Sequence, residues 1–227
     1  MSEAAFGNSK EIITNQEGIH EKLHEVVEKH LAKPSKKPFQ QHTLDAYEKV
    51  KARLKDHQGD IILDACCGVG QSTRLIAKYH PDTFVIGIDK SAARINKDDQ
   101  FLIEDTATSD IDNFMLVRAD LNDFYRLLVN EHWNIEKHYI LYPNPWPKSK
   151  HLQRRWHGSA VFPQIISLGK SIELRSNWRL YLEEFLQAAE IAGRSGNISL
   201  VEDELPLTPF EAKYQASGQQ CWQLKID

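Results

Sequence analysis

Short apolar runs recur through most of the chain, separated by charged stretches of helical character. They are GDIILDAC (59–66), TFVIGID (83–89), FMLVRAD (114–120) and KHYILYP (137–143), then SIELRS (171–176), NISLVED (197–203) and CWQLKI (221–226). Runs of this kind predict short strands buried on both faces, and their alternation with helices predicts βαβ units and a mainly parallel sheet covered on both sides. Seven strands are expected. The last two lack an evident crossover helix, so they are expected to pair as an antiparallel edge.

The first forty residues follow another pattern. GIHEKLHEVVEKHLAK (18–33) predicts a charged amphipathic helix with Ile19, Leu23, Val26, Val27 and Leu31 as its apolar stripe. KPSKKPFQQ follows as a Pro- and Lys-rich linker, and a second helix is expected over residues 43–56. Residues 1–40 therefore read as a helical extension with its linker, and residues 41–227 as the main domain.

Within the extension, HEKLHEVVEKH places His20, Glu21, His24 and His30 at the spacing of a zinc motif. The longer form of that motif needs a glycine at its eighth position to turn the chain, and Val27 stands there. On an unbroken helix His30 would lie about 15 Å along the axis from His20 and about 80° around it. The two cannot share one ion, so the reading is a solvated helix face and no metal.

Composition narrows the class. With 227 residues, 41% apolar and 26% charged, the chain can bury a sizeable core. No apolar run reaches the length of a membrane span, and the start MSEAAFGNSKEIITNQEG has no apolar leader region. Of the three cysteines, Cys66 and Cys67 are adjacent and Cys221 is odd, so a reducing cytoplasm is expected rather than a disulfide framework. A net charge of -4 argues against a coat for nucleic acid but not against a local basic patch. A monomer is expected.

Chemistry is concentrated at the ends of the predicted strands. In DIILDACCGVGQST a strand runs into Asp64, Cys66, Gly68 and Gly70, with a helix starting near Ser72. Glycines there let backbone approach a ligand and let the helix pack on the strand. Asp89 closes the second strand, where a carboxylate can accept both hydroxyls of a ribose, and Asp120 closes the third, where an adenine edge would lie. Either acid could alternatively cap a helix. After the fourth strand comes YPNPWPKSKHLQRR, in which Lys148, Lys150, Arg154 and Arg155 crowd behind a Pro-rich turn. A polyanionic partner would explain that placement, and so would a solvated loop.

The three strand ends together resemble the S-adenosylmethionine site of the seven-stranded, Rossmann-like class I methyltransferases. YPNPWPKSKHLQRR is similar to the Pro-Asp-Pro-Trp-x-Lys-x-(Lys/Arg)-His-x-x-Arg-Arg segment of the bacterial tRNA (guanine-N7)-methyltransferases. SNWRLYLEEF and LTPFEAKYQASGQQCWQL resemble two further segments of that family, so the likeness spans residues 60–224 in order. It implies S-adenosylmethionine as cofactor and tRNA as substrate. Asp64, Asp89, Asp120 and Asn144 would line the cofactor, with Asn144 beside the reacting methyl. Lys148, Asn177, Thr208 and Glu211 would hold the guanosine. Lys150, Arg154 and Arg155 would take RNA phosphates.

Two positions depart from the family, which has acids where this chain has Asn144 and Asn177. Guanine N7 carries a free lone pair, so its methylation needs orientation and exclusion of water rather than a base. An amide oxygen is nevertheless a poorer acceptor than a carboxylate for the N–H groups of guanine. Two other readings remain open. Asn-Pro-Trp is similar to the Asn-Pro-Pro-aromatic turn of methyltransferases acting on adenine or cytosine amino groups. A silent RNA- or partner-binding relative would also carry these residues.

Overall fold

A computed structural model describes residues 7–33, 35–96, 111–203 and 205–227. Of the expected extension, residues 1–6 and Pro34 lie outside that set. All seven predicted runs form strands: β1 (Ile61–Ala65), β2 (Phe84–Asp89), β3 (Phe114–Arg118), β4 (Ile135–Leu141), β5 (Ser171–Ser176), β6 (Gly196–Leu200) and β7 (Trp222–Ile226). They form one mixed sheet in the order β3-β2-β1-β4-β5-β7-β6.

Two compact units divide the chain. The first runs from Lys37 to Tyr139 with Leu168–Lys170. Here β1, β2 and β3 pair in parallel, with Ile61 opposite Phe84 and Val85 opposite Phe114. Helices α2 (Gln41–Leu54), α3 (Gln71–Tyr79), α4 (Ala92–Ile95) and α5 (Leu121–Leu128) supply the crossovers and covering layers. Every residue of β1 and β2 is buried, as expected for strands covered on both faces. Close packing of α3 on the sheet depends on Gly87, where an added Cβ would lie 2.2 Å from Thr73 Oγ1.

The second unit takes the described residues up to Lys36, Ile140–Ser167 and Ser171–Asp227. Helices α1 (Leu23–Ala32), α6 (Phe162–Ser167), α7 (Arg179–Ile191) and α8 (Pro209–Ala216) belong to it. On α7, Tyr181, Leu182, Phe185, Ala188 and Ala189 are buried at helical spacing, and α1 packs against this helix. The C-terminal strands are antiparallel, with one refinement. β7 inserts between β5 and β6 and runs antiparallel to both, which leaves β6 at the edge. The connection between β6 and β7 is no crossover, but it carries a helix that the sequence reading did not include, α8. Its signal was the capping pattern Thr208-Pro209-Phe210-Glu211, in which Thr208 Oγ1 accepts the Glu211 N–H at 3.0 Å.

The N-terminal helix is shorter than its periodicity predicts. It starts at Leu23, and the His20 N–H ahead of it donates to Glu184 Oε1 at 2.9 Å. Ile19 and Leu31 are exposed, so the buried stripe is Leu23, Val26 and Val27. His20 lies before the helix, and His24 faces Glu28 on the exposed side. Among the described residues no cluster of His, Cys, Asp and Glu is arranged to hold a metal ion. None of their helices is long and apolar enough to cross a membrane. Cys66, Cys67 and Cys221 are free thiols.

Candidate active site

In the first unit the turn after β1 is built from left-handed residues. Cys66, Gly68 and Gly70 have φ of 62°, 63° and 82°. For Cys66 this conformation is strained by roughly 1–3 kcal/mol, the kind of local strain that persists at functional sites. Gly70 begins α3, and a Cβ there would lie 2.6 Å from Leu116 Cδ1. Gly68 faces open space, since an added Cβ meets nothing within 4 Å. Backbone at that point is free to meet a ligand.

Carboxylates flank the turn. Asp64 is fully buried, and its Oδ2 accepts from Ser72 Oγ and Thr73 Oγ1, both at 2.6 Å. Its Oδ1 has no partner, and neither does the buried Nε2 of Gln71. A buried polar atom without a partner is expensive, so two of them beside an open glycine turn call for a polar ligand. Asp89 is almost fully buried. Its Oδ1 accepts the Ser91 N–H at 2.8 Å and its Oδ2 the Gly68 N–H at 3.2 Å, with Arg94 Nη1 at 3.5 Å. Each oxygen keeps acceptor capacity, which suits a diol. Asp120 takes the capping role: it is the N-cap of α5, its Oδ1 accepting from Asn122 and its Oδ2 from Gln40.

Burial pushes the Asp64 carboxyl up to about 6 from 3.8, opposed by the Ser72 and Thr73 hydrogen bonds and helped by the Asp89 charge. Because the folded value is the higher one, this group's contribution to stability is complete below about pH 3.8 and is lost as pH rises through 6. A rise of that size corresponds to about 3 kcal/mol. Asp64→Asn is therefore expected to flatten the pH dependence of ligand-free stability between about pH 4 and 6. Urea unfolding at stepped pH checks this, and identical slopes in both proteins would contradict it.

In the second unit, the loop after β4 is bracketed by two non-glycine residues in the left-handed region, Tyr142 (φ 49°) and Trp146 (φ 45°). Between them Asn144 is exposed, its Oδ1 accepting the Trp146 N–H at 3.3 Å. Two 3₁₀ turns follow, Ser149–Arg154 and Trp156–Gly158. Lys148, Lys150 and Arg154 are exposed, with the Arg154 guanidinium 4.7 Å from the Trp146 ring centre.

Arg155 corrects the sequence reading. It is fully buried and cannot reach RNA phosphates. Its guanidinium pairs with the buried carboxylate of Glu184 and donates to the carbonyls of Trp146 (3.2 Å) and Lys148 (3.3 Å) and to Gln16 Oε1 (3.1 Å). Two adjacent arginines thus point oppositely, one into solvent and one beneath the loop. The 3₁₀ turn ending at Arg154 and the extended backbone of Arg155 account for the divergence.

Glu211 is also fully buried, at the start of α8. Arg175 on β5 donates to its Oε1 at 3.0 Å while pairing with Glu173 and Asp203, and the Tyr142 hydroxyl acts on the same carboxylate. Burial raises the Glu211 carboxyl, and Arg175 opposes that rise. Thr208 caps the same helix. Asn177, just after β5, donates its Nδ2 to Gln219 Oε1 at 2.8 Å. Sequence reasoning missed Arg175, Glu184 and Gln219. None stands in a motif that marks it by sequence, and only the fold supplies its partners.

Comparison with known proteins gives three findings. Residues 58–224 match the model of a protein family described as "Putative methyltransferase". The chain is 23% identical over 180 residues to a tRNA (guanine-N(7)-)-methyltransferase of Shewanella baltica, covering 75% of this chain and 73% of that one. It is 22% identical over 196 residues to the protein of that name from Photobacterium profundum, covering 82% and 76%. Among solved structures, an antibiotic-related methyltransferase superposes with a TM-score of 0.54 at 15% identity, over 79% of this chain and 92% of that one. The 16S rRNA methyltransferase KamB gives 0.54 at 16%, over 83% and 94%. At such identities the superpositions show the fold, a class I methyltransferase sheet.

Proposed function

The chain belongs to the methyltransferase family that its residues 58–224 match, and from that premise we propose that it is a tRNA (guanine-N7)-methyltransferase. S-adenosylmethionine is its cofactor and supplies an electrophilic methyl on a sulfonium. Asp89 would accept the ribose hydroxyls, the open backbone at Gly68 would approach the ligand, and Asp64 Oδ1 with Gln71 Nε2 would find their missing partners in it.

The observation that carries the guanine reading is Glu211. Its Oε1 is fixed by Arg175, and the Tyr142 hydroxyl acts on the same carboxylate. Arg175 holds this carboxylate in place, and a base entering the site would take over the contact that Tyr142 makes with it. Guanine offers two adjacent donors, N1–H and the 2-amino group, whereas the corresponding edge of adenine offers an acceptor beside its amino group. Orienting guanine by that edge leaves N7 to attack with its own lone pair, so no residue has to remove a proton. Asn144 stays in the strained loop as the group beside the reacting atoms. Its Oδ1 is engaged by its own turn, which weighs against its use as acceptor for a target amine.

Lys148, Lys150 and Arg154 are the exposed cations for RNA phosphates. The stacking of Arg154 over Trp146 holds its guanidinium outward at small entropic cost. The log of tRNA affinity is expected to fall linearly with log salt by about 0.7–0.9 per phosphate contact, and Arg154→Ala to flatten that slope by about one. An unchanged slope would remove Arg154 from the interface. Restoring the family's acid by Asn144→Asp is expected to raise guanine-N7 transfer, read as the rate at which labelled 7-methylguanosine forms.

The deciding experiment incubates bulk tRNA with labelled S-adenosylmethionine and identifies the product nucleoside by mass spectrometry. Labelled 7-methylguanosine is expected. A methylated adenosine or cytidine would establish the amino-group reading instead, and no label at all a binding role.

A further inference from the structure

Residues 9–16 run over the surface of their unit in no regular secondary structure, yet Ser9, Thr14, Asn15 and Gln16 are each held by hydrogen bonds to distant parts of it. Ser9 donates its N–H to Ser217 Oγ at 3.0 Å, and its carbonyl accepts from Gln219 Nε2 at 2.8 Å. Thr14 Oγ1 donates to the Pro147 carbonyl at 2.6 Å, and Asn15 Oδ1 accepts the Ser149 N–H at 3.0 Å. The segment therefore ties down the loop after β4 and the turn after α8, which carry Asn144 and Gln219.

The Ser9 contact has a directional consequence. A side-chain amide can face a partner with either end, but a backbone carbonyl can only accept. Gln219 must therefore present Nε2 to the Ser9 carbonyl, which turns its Oε1 toward Asn177. Asn177 must then present Nδ2 to that oxygen, as it does at 2.8 Å. What remains is Asn177 Oδ1, which makes no hydrogen bond with any described residue. One backbone carbonyl in the N-terminal segment thus determines the polarity of two amides in series.

We propose that Gln219 is a positioning residue of the substrate site, and that the N-terminal segment acts through it to aim Asn177 Oδ1, a neutral acceptor, at an N–H donor of the RNA base. The same chain of contacts explains why an amide stands where the related enzymes have an acid. A carboxylate at that position would face Gln219 Oε1, acceptor against acceptor, unless Gln219 turned round and released Ser9. The substrate side of this inference rests on the proposed function above; the coupling of Ser9 to Asn177 does not.

Four full-length variants test it, with two readouts. Trypsin cleavage after the exposed Lys10, followed by intact mass, reports release of the segment. Steady-state kinetics with tRNA reports the base contact. Gln219→Glu keeps an acceptor for Asn177 Nδ2 but repels the Ser9 carbonyl. It is expected to speed the Lys10 cut about tenfold while the KM for tRNA stays within about twofold. Gln219→Met removes both links, and is expected to speed the cut and also raise the KM for tRNA about tenfold, with kcat and the KM for S-adenosylmethionine nearly unchanged. Asn177→Asp alters no group that touches the segment, yet is expected to speed the cut by forcing Gln219 to turn. Ser9→Ala, which spares the backbone groups in use, is expected to match wild type in both assays.

Unchanged cleavage in both Gln219→Glu and Asn177→Asp would overturn the coupling. A wild-type KM in Gln219→Met would overturn the positioning role. A wild-type chain that methylates no tRNA would overturn the proposed function and with it the base contact, while the cleavage rates would still decide the coupling alone.

Discussion

Arg155→Met is expected to lower the thermal midpoint by roughly 6–20 °C, while Arg154→Met, one residue away, lowers it by no more than about 4 °C. The contrast follows from burial. Arg155 and Glu184 are both fully buried, and His157 Nε2 lies 2.9 Å from the same carboxylate. Removing one member of such a pair strands the other in a low-dielectric site, which costs about 3–5 kcal/mol. Each kcal/mol moves the midpoint of a chain this long by about 2–4 °C. Arg154 is exposed and loses only a stacking contact worth about 0.5–1 kcal/mol. The carbonyls of Trp146 and Lys148 also lose their donor in Arg155→Met, so the basic loop loosens together with the core beneath it. The double variant Arg155→Met with Glu184→Leu is expected to recover part of the loss, because no charge is then stranded. Equal midpoints for the two arginine variants would refute the structural assignment of Arg155.

The same cluster sets an acid limit. Burial opposes ionisation of Glu184, but the His157 hydrogen bond and the Arg155 guanidinium outweigh it and hold the carboxyl at about 2, down from 4.5. A depressed folded value means stability that is present above about pH 4.5 and is lost as pH falls toward 2. Arg155→Met should weaken that dependence along with the midpoint.

Asp89→Ala is expected to weaken S-adenosylmethionine binding by about a hundredfold or more, measured by calorimetry. Each charge-assisted hydrogen bond to a ribose hydroxyl is worth roughly 1.5–3 kcal/mol, and two are available. The variant also removes the acceptor for the Gly68 and Ser91 N–H groups, which loosens the turn that the cofactor meets. Asp89→Asn separates the effects: it keeps an acceptor oxygen but loses the charge, and is expected to fall between the two. Unchanged affinity in Asp89→Ala would place the cofactor elsewhere.

Much of this molecule could be read along the chain. The seven apolar runs became seven strands because burial on both faces demands continuous apolar sequence, which is a local property. The glycine turn after β1 was legible because close approach of backbone and helix requires residues without a Cβ, and its left-handed conformation, shared by Cys66, came only with the structure. Asp64 and Asp89 were legible as strand-end acids for the same local reason. The position of β7 inside the sheet was not, since strand order depends on which edge is open when the last strand arrives.

The basic run shows the limit most plainly. Lys148, Lys150, Arg154 and Arg155 are equivalent as charges in sequence, but one of them lies in the core and three in solvent. What separates them is Glu184, which comes from a helix about thirty residues later, and Gln16, which comes from the N-terminal segment. Likewise Glu211 could be picked out as a base-binding acid, but only the fold brings Arg175 from β5 to fix one of its oxygens. Sequence determines which groups a chain carries and which of its local conformations are cheap. Whether a charge is exposed or paired depends on partners distant along the chain, because desolvation and hydrogen bonding act through space, and the tertiary structure alone decides it.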